Sequence, residues 1–148
     1  KFFKNILGSN KNYIYNFGNH FRSFTYVDDV VRAVYKIMIS NRNIIRKTKK
    51  KLSPDTNFNG KFDIVNIGNE KVIKLLNLTK KIENITNKKF KNVYLPLQKG
   101  DVIGSKASSK KLKKNFKFKF NTNIDKGLMK FNEWFKKNKD FNSKLKTK

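Results

Sequence analysis

Phe21-Arg22-Ser23-Phe24-Thr25-Tyr26-Val27-Asp28-Asp29-Val30-Val31 is the stretch on which the reading of this chain turns. Residues 23–27 are rich in aromatic and β-branched side chains and predict a strand. Asp28 or Asp29 then predicts a helix start, because a carboxylate there accepts free backbone N–H groups and complements the helix dipole. Val30, Val31, Val34, Ile37 and Met38 recur at helical spacing and give that helix one apolar stripe.

Working outward, helices and strands alternate. Phe2, Phe3, Ile6 and Leu7 predict the end of an amphipathic helix over residues 1–8, stopped by Gly8. Residues 13–16 read as a short strand, and Asn16-Phe17-Gly18-Asn19 turns the chain. On the far side, residues 41–60 carry a lysine run and Ser53-Pro54-Asp55 without periodicity, so they are expected to be a basic, flexible insertion. Residues 62–67 form a mostly apolar strand that suits a sheet covered on both faces. A helix follows over about residues 71–86, then a strand over residues 92–95 ended by Pro96. Ser108 or Ser109 heads a short helix, and Thr122-Asn123-Ile124-Asp125 opens a last one in the manner of a capping box. Residues 1–138 thus read as one α/β unit, with 139–148 a frayed lysine-rich tail.

Composition narrows the function classes. The 148 residues include no cysteine, which leaves no disulfide framework or thiolate metal site and makes a reducing cytoplasm the simplest setting. No signal-peptide pattern opens the chain, and no apolar run reaches the ~18–20 residues that cross a bilayer, so no membrane partner is expected. Lys and Arg total 36 against 10 acidic residues, a formal net charge of +26. Such a field attracts polyanions without any specific site. The lysines are scattered over every segment, however, and accompany abundant Asn, Ile and Phe, as a codon bias would produce. Zinc-finger spacing and RNA-recognition signatures are both lacking, so no specific nucleic-acid partner is expected, although a basic nucleic-acid-binding module stands as an alternative.

Arg22 offers a planar, permanently charged fork that suits a diphosphate, against the plainer reading of a surface arginine in a basic chain. Tyr15, at a strand end, suits either stacking on a base or inward packing. Leu95-Pro96-Leu97-Gln98-Lys99-Gly100-Asp101-Val102 is a second anchor, in which Gln98 and Asp101 reach out from one loop that Gly100 lets turn tightly. The adjacent Asp28 and Asp29 diverge at a helix start and so make a poor metal or acid–base pair. His20, the one histidine, has no sequence neighbour to act with and reads as a turn residue.

Together these segments resemble the nucleotide-sugar half of extended short-chain dehydrogenase/reductases, the NAD-dependent epimerase/dehydratase family, and UDP-glucuronate 4-epimerases in particular. The resemblance is carried in order by Phe17-Gly18, the Arg22 run, Val65-Asn66-Ile67-Gly68-Asn69, the Gln98 loop, and Gly127, Phe131, Trp134 and Phe135 in the final helix. Where the family continues Val-Pro-x-Thr-x-Ala-Asp, this chain has Val102-Ile103-Gly104-Ser105-Lys106-Ala107-Ser108.

The resemblance implies an α/β fold made of the C-terminal portion of a Rossmann-type NAD(P)-binding sheet plus the small substrate-binding region. It implies that Arg22 contacts the diphosphate, Tyr15 the uracil, and Gln98 and Asp101 the nucleotide, with Asp101 near the ribose. The complete enzyme would epimerise a UDP-sugar at C4 with NAD as cofactor, as a homodimer by analogy with sister families. A dehydratase or decarboxylase of the same superfamily is the alternative.

No catalytic residue is assigned in this chain. Its glycines, at 8, 18, 60, 68, 100, 104 and 127, never give the spacing of a dinucleotide-binding turn. None of Tyr13, Tyr15, Tyr26, Tyr35 or Tyr94 has the lysine four residues on that the family pairs with its catalytic tyrosine. The chain alone is therefore expected to be an inactive fragment.

Overall fold

The computed structural model describes residues 1–47 and 64–138, with backbone alone for 41–47. Residues 48–63, which hold part of the lysine-rich segment and the first two residues of the strand expected over 62–67, and the tail at 139–148 lie outside the described residues.

Helix α1 (Phe2–Leu7) closes on Gly8, whose N–H donates to Lys4 O, and buries Phe3 and Ile6. Strand β1 (Lys11–Ile14) alternates, sending Asn12 and Ile14 inward. It lies two residues earlier than the sequence suggests, because Tyr15–Gly18 winds instead into a 3₁₀ turn. Asn16 and Phe17 take left-handed backbone angles in that turn, and the Phe17 N–H donates to Leu95 O at 3.1 Å. Gly18 completes it at φ +84°, where a Cβ would lie 2.4 Å from Leu76 Cδ2. Only glycine lets the next layer approach so closely.

Strand β2 (Phe21–Ser23) is the central strand of a three-stranded sheet. The strand expected over 23–27 is thus displaced toward the N-terminus. Residues 21–23 find ladder partners on both sides, whereas Ser23 Oγ and Thr25 Oγ1 accept the Ala107 and Asn69 N–H groups and draw the chain out of the sheet.

Helix α2 (Val27–Lys47) begins at the expected place and runs on into the segment for which the sequence offered no element. Asp28 and Asp29 occupy its first turn. Asp29 is buried and serves not as a cap but as a cross-link. Its carboxylate accepts the Asn121 and Thr122 N–H groups at 3.2 and 2.9 Å and the Arg32 guanidinium at 2.6 Å. The stripe is also rotated from expectation. Ala33 is buried and Ile37 partly so, while Val31, Val34 and Met38 are exposed.

Residues 64–71 form no strand. Val65 and Ile67 instead pack, extended, on a core of Ala33, Leu112, Phe116 and Phe118. The strand is β3 (Val72–Lys74), which pairs antiparallel with β2 by matching Val72, Ile73 and Lys74 to Ser23, Arg22 and Phe21. Helix α3 (Leu75–Thr86) therefore starts at Leu75 rather than at 71. Strand β4 (Lys91–Tyr94) lies parallel to β1 in full register, and Asn12 donates to Asn92 across the pair at 2.9 Å. The loop after it ends in β5 (Gly104–Ser105), parallel to β2.

Ser109 precedes helix α4 (Lys110–Phe116) but makes no side-chain cap. Its oxygen instead accepts the Gly68 N–H at 3.3 Å, while its hydroxyl donates to Gly68 O. Asn123, not Thr122, caps helix α5 (Ile124–Lys137) by accepting the Lys126 N–H. Asp125 does not complete a capping box, because Lys81 takes its carboxylate.

Helices α1, α3 and α5 enclose the second core, where Phe3, Ile6, Leu78, Ile82 and Phe90 are buried with Ile124, Leu128 and Phe135 against them. Each such side chain withdrawn from water contributes about 1.5–3 kcal/mol. The result is an α/β architecture with a parallel pair, a mixed three-stranded sheet, and helices that clamp their ends.

Candidate functional site

β2 is the element on which the site is built. His20 at its entrance, Phe21 and Arg22 along it and Phe24 just beyond it all line one cavity. The neighbouring strand β5 fixes the chain just after Asp101. As a result the 98–103 loop lies against the Arg22 side of β2.

The Arg22 guanidinium ties this arrangement together. Its Nη1 donates to Phe21 O at 2.8 Å and Ile103 O at 3.0 Å, and Nη2 donates to Val102 O at 2.7 Å. Nη2 also stands 3.7 Å from Asp101 Oδ1. The other Asp101 oxygen, Oδ2, lies 3.3 Å from His20 Nε2. Three residues separated by up to 81 positions in sequence (His20 to Asp101) thus meet within a few ångströms.

They meet at a cavity of about 330 Å³ whose lining includes Tyr13, Tyr15, Phe24, Ile73 and Leu75. The aliphatic pair forms an apolar floor, the aromatic rings supply flat faces, and the Arg22–Asp101 edge supplies charge of both signs. Ligand sites for small molecules have this make-up, mostly apolar with a few convergent polar groups.

Of the four residues singled out from sequence, Arg22, Asp101 and Tyr15 line one cavity and Gln98 does not. Gln98 is exposed, and its carbonyl accepts the Asp101 N–H at 3.1 Å, which closes the tight turn that Gly100 permits at φ +84°. Its contribution is to shape the loop rather than to face the cavity. The segment after Val102 is held through its backbone. The Val102 and Ile103 carbonyls accept Arg22, and Gly104 passes so close to Phe21 that a Cβ would lie 2.0 Å from the ring.

His20 is the residue that sequence reasoning missed. It is only 7% exposed, and its Nε2, 3.3 Å from Asp101 Oδ2, makes no hydrogen bond among the described residues. The signal was present: a position two residues before Arg22 at a strand entrance shares that residue's face.

Glu70 braces the far end of the loop. It accepts the Ser109 N–H at 2.9 Å and the Lys113 ammonium at 2.6 Å, and these bonds, Lys113 first, hold its carboxyl below the usual carboxylate range. Among the described residues no cluster of His, Asp or Glu has the make-up of a metal site, and no helix is long and apolar enough to cross a membrane.

No family model matches the chain. An uncharacterised protein of Methanocaldococcus jannaschii is 38% identical over 141 residues, covering 95% of this chain and 38% of that protein. A probable UDP-glucuronate 4-epimerase of Rhizobium meliloti is 27% identical over 126 residues, covering 84% of this chain and 37% of that one. The crystal structure of UDP-glucuronic acid 4-epimerase from Bacillus cereus, in complex with UDP-glucuronic acid and NAD, superposes with a TM-score of 0.70 at 21% identity, covering 90% of this chain and 38% of that enzyme. The chain therefore spans less than two-fifths of the length of these relatives.

Proposed function

We propose that this chain, which has the fold of a C-terminal portion of the NAD-dependent epimerase/dehydratases, holds the UDP part of a UDP-sugar for epimerisation at C4. The observation that carries the reading is the convergence of Arg22 and Asp101, brought to 3.7 Å on the rim of a cavity with aromatic walls. Arg22 would donate to the diphosphate, Asp101 would accept from the ribose hydroxyls, and Tyr15 would lie against the base. Gln98 enters only through the turn that presents Asp101. UDP-glucuronate is the substrate that the named relatives favour, with UDP-galacturonate as its C4 epimer.

In a complete enzyme NAD would supply reversible hydride transfer at the sugar carbon. The glycine spacing of this chain does not suit a dinucleotide, so the cofactor and the catalytic tyrosine are assigned to the remainder of such an enzyme. The contribution of this chain is orientation. Gripping the nucleotide end fixes the reacting carbon in space, and pre-positioning of that kind removes several kcal/mol of entropic barrier. By itself the chain binds without turning substrate over.

Calorimetric titration of the folded chain with UDP in about 0.15 M salt tests this, because nonspecific attraction to a +26 surface is then screened beyond about 8 Å. UDP should bind more tightly than ADP, and Arg22→Ala should weaken UDP by more than about tenfold, since a hydrogen bond to a charged group contributes ~1.5–3 kcal/mol. Equal affinity for UDP and ADP, or no effect of the substitution with folding intact, would overturn the assignment.

A further inference from the structure

Of the five N–H donors of Arg22, those on Nη1 and Nη2 are engaged and only Nε–H is outside the recorded contacts, so a diphosphate gripped side-on by Nε and Nη2 meets an Nη2 already in use. Its Nη1 serves Phe21 O and Ile103 O, one N–H of Nη2 serves Val102 O, and the other end of Nη2 faces Asp101 Oδ1. An anionic ligand therefore competes with Asp101 for that last donor. An Asp101 carboxylate left without a partner beside a diphosphate would also repel it. The ribose hydroxyls engage one carboxylate oxygen in the proposed pose, and Oδ2, on the His20 side, still needs a donor.

The only other polar side chain touching that carboxylate among the described contacts is His20. Its Nε2 is buried, has no hydrogen-bond partner, and lies 3.3 Å from Asp101 Oδ2 on the cavity lining. A buried nitrogen without a partner costs about 1–3 kcal/mol, so its persistence calls for an explanation. The backbone on either side is fixed, because His20 O accepts the Leu75 N–H at 2.8 Å and the Phe21 N–H donates to Ile103 O at 3.1 Å. The imidazole is thus anchored, and Asp101, on a loop with 34% of its side chain exposed, is the partner able to move.

We propose that His20 is a positioning residue for this site, donating from Nε2 to Asp101 when a nucleoside diphosphate occupies the cavity and so releasing Arg22 Nη2 for the phosphate. The inference rests on the nucleotide reading of the cavity and adds to it the residue that partitions Asp101 from Arg22. A small rotation of the Asp101 carboxylate completes the bond, since the distance is already in range and only the alignment is lacking.

His20 is the one histidine in the sequence, so its imidazole nitrogens give an unambiguous signal in ¹⁵N-edited spectra of the labelled chain. Saturating UDP should shift those signals toward a hydrogen-bonded Nε2–H, and Asp101→Asn should diminish the shift. His20→Gln, whose amide donor falls near the position of Nε2, should bind UDP within about threefold of the unsubstituted chain, and His20→Leu should bind at least tenfold more weakly. If UDP binds and the imidazole signals stay put, or if Gln and Leu weaken binding equally, His20 is a packing residue and the inference fails while the nucleotide reading stands. If the unsubstituted, folded chain binds no UDP, both fall. The spectra of the unsubstituted chain decide the matter even if His20→Leu does not fold.

Discussion

Asp29→Ala should be the most destabilising single substitution at the α2–α5 junction, and the structure sets its size. The carboxylate is 1% exposed and accepts from Asn121 N, Thr122 N and Arg32. Arg32 is 45% exposed, so that ion pair is largely screened, and losing it costs about 0–1 kcal/mol. The two backbone N–H groups have no such escape, and each left without an acceptor costs about 1–3 kcal/mol. The total for Asp29→Ala is therefore about 2–7 kcal/mol, centred on about 3–5, a large share of the ~5–15 kcal/mol that holds a domain folded. Asp29→Asn keeps an acceptor oxygen and should cost roughly half as much. Arg32→Ala should cost about 1 kcal/mol or less. Urea unfolding followed by circular dichroism reads all three, and with a slope near 2 kcal/mol per molar the midpoint for Asp29→Ala should drop by about 1.5–2.5 M. If Arg32→Ala destabilised as much as Asp29→Ala, the ion pair and not the amide cross-link would hold the junction, and the reasoning would be refuted.

Gly104→Ala should push the Phe21 ring out of place, because the new Cβ would lie 2.0 Å from it, and the overpacking should cost about 1–3 kcal/mol. It should also weaken UDP binding, since Phe21 lines the cavity, whereas Gly100→Ala has open space and should act only through backbone strain at φ +84°. Thermal unfolding and UDP titration of both variants check this. Glu83 accepts the Phe90 N–H at 3.0 Å and then Lys89, which holds its carboxyl below the usual range. Its stabilisation is therefore complete above the normal carboxylate range and is lost as pH falls through the lowered value. Glu83→Gln should flatten that acid limb of a stability–pH curve, and an unaltered limb would remove Glu83 from the account.

Much of this was legible in the sequence where local rules and tertiary needs agree. Gly8 ends α1, the apolar residues at 124, 128 and 135 face the core, and the strand at 91–94 stops before Pro96. Misreadings arose where a distant partner outcompeted a local one. Ser109 and Asp29 look like helix caps, yet Gly68 and residues 121–122 claim their oxygens. Residues 62–67 have strand composition, but the ladder partner of β2 is Val72–Lys74, and nothing in a one-dimensional pattern fixes that register. The site divides in the same way. Arg22 and Asp101 stand out as charged groups amid structural motifs, Gln98 shares the Asp101 loop but turns outward, and His20, marked only by its spacing from Arg22, shows its partner once Asp101 is folded back onto it.

The central claim is that one cavity on β2 receives a uridine diphosphate. The most direct measurement is the backbone ¹⁵N–¹H spectrum of the chain as UDP is added in about 0.15 M salt. Progressive shifts confined to residues 1–2, 13–24, 73–75 and the 98–104 loop that carries Asp101, which line the cavity or adjoin its lining, are the expected result. Shifts spread across the lysines of α4 and α5, or none at all at millimolar UDP, would contradict it.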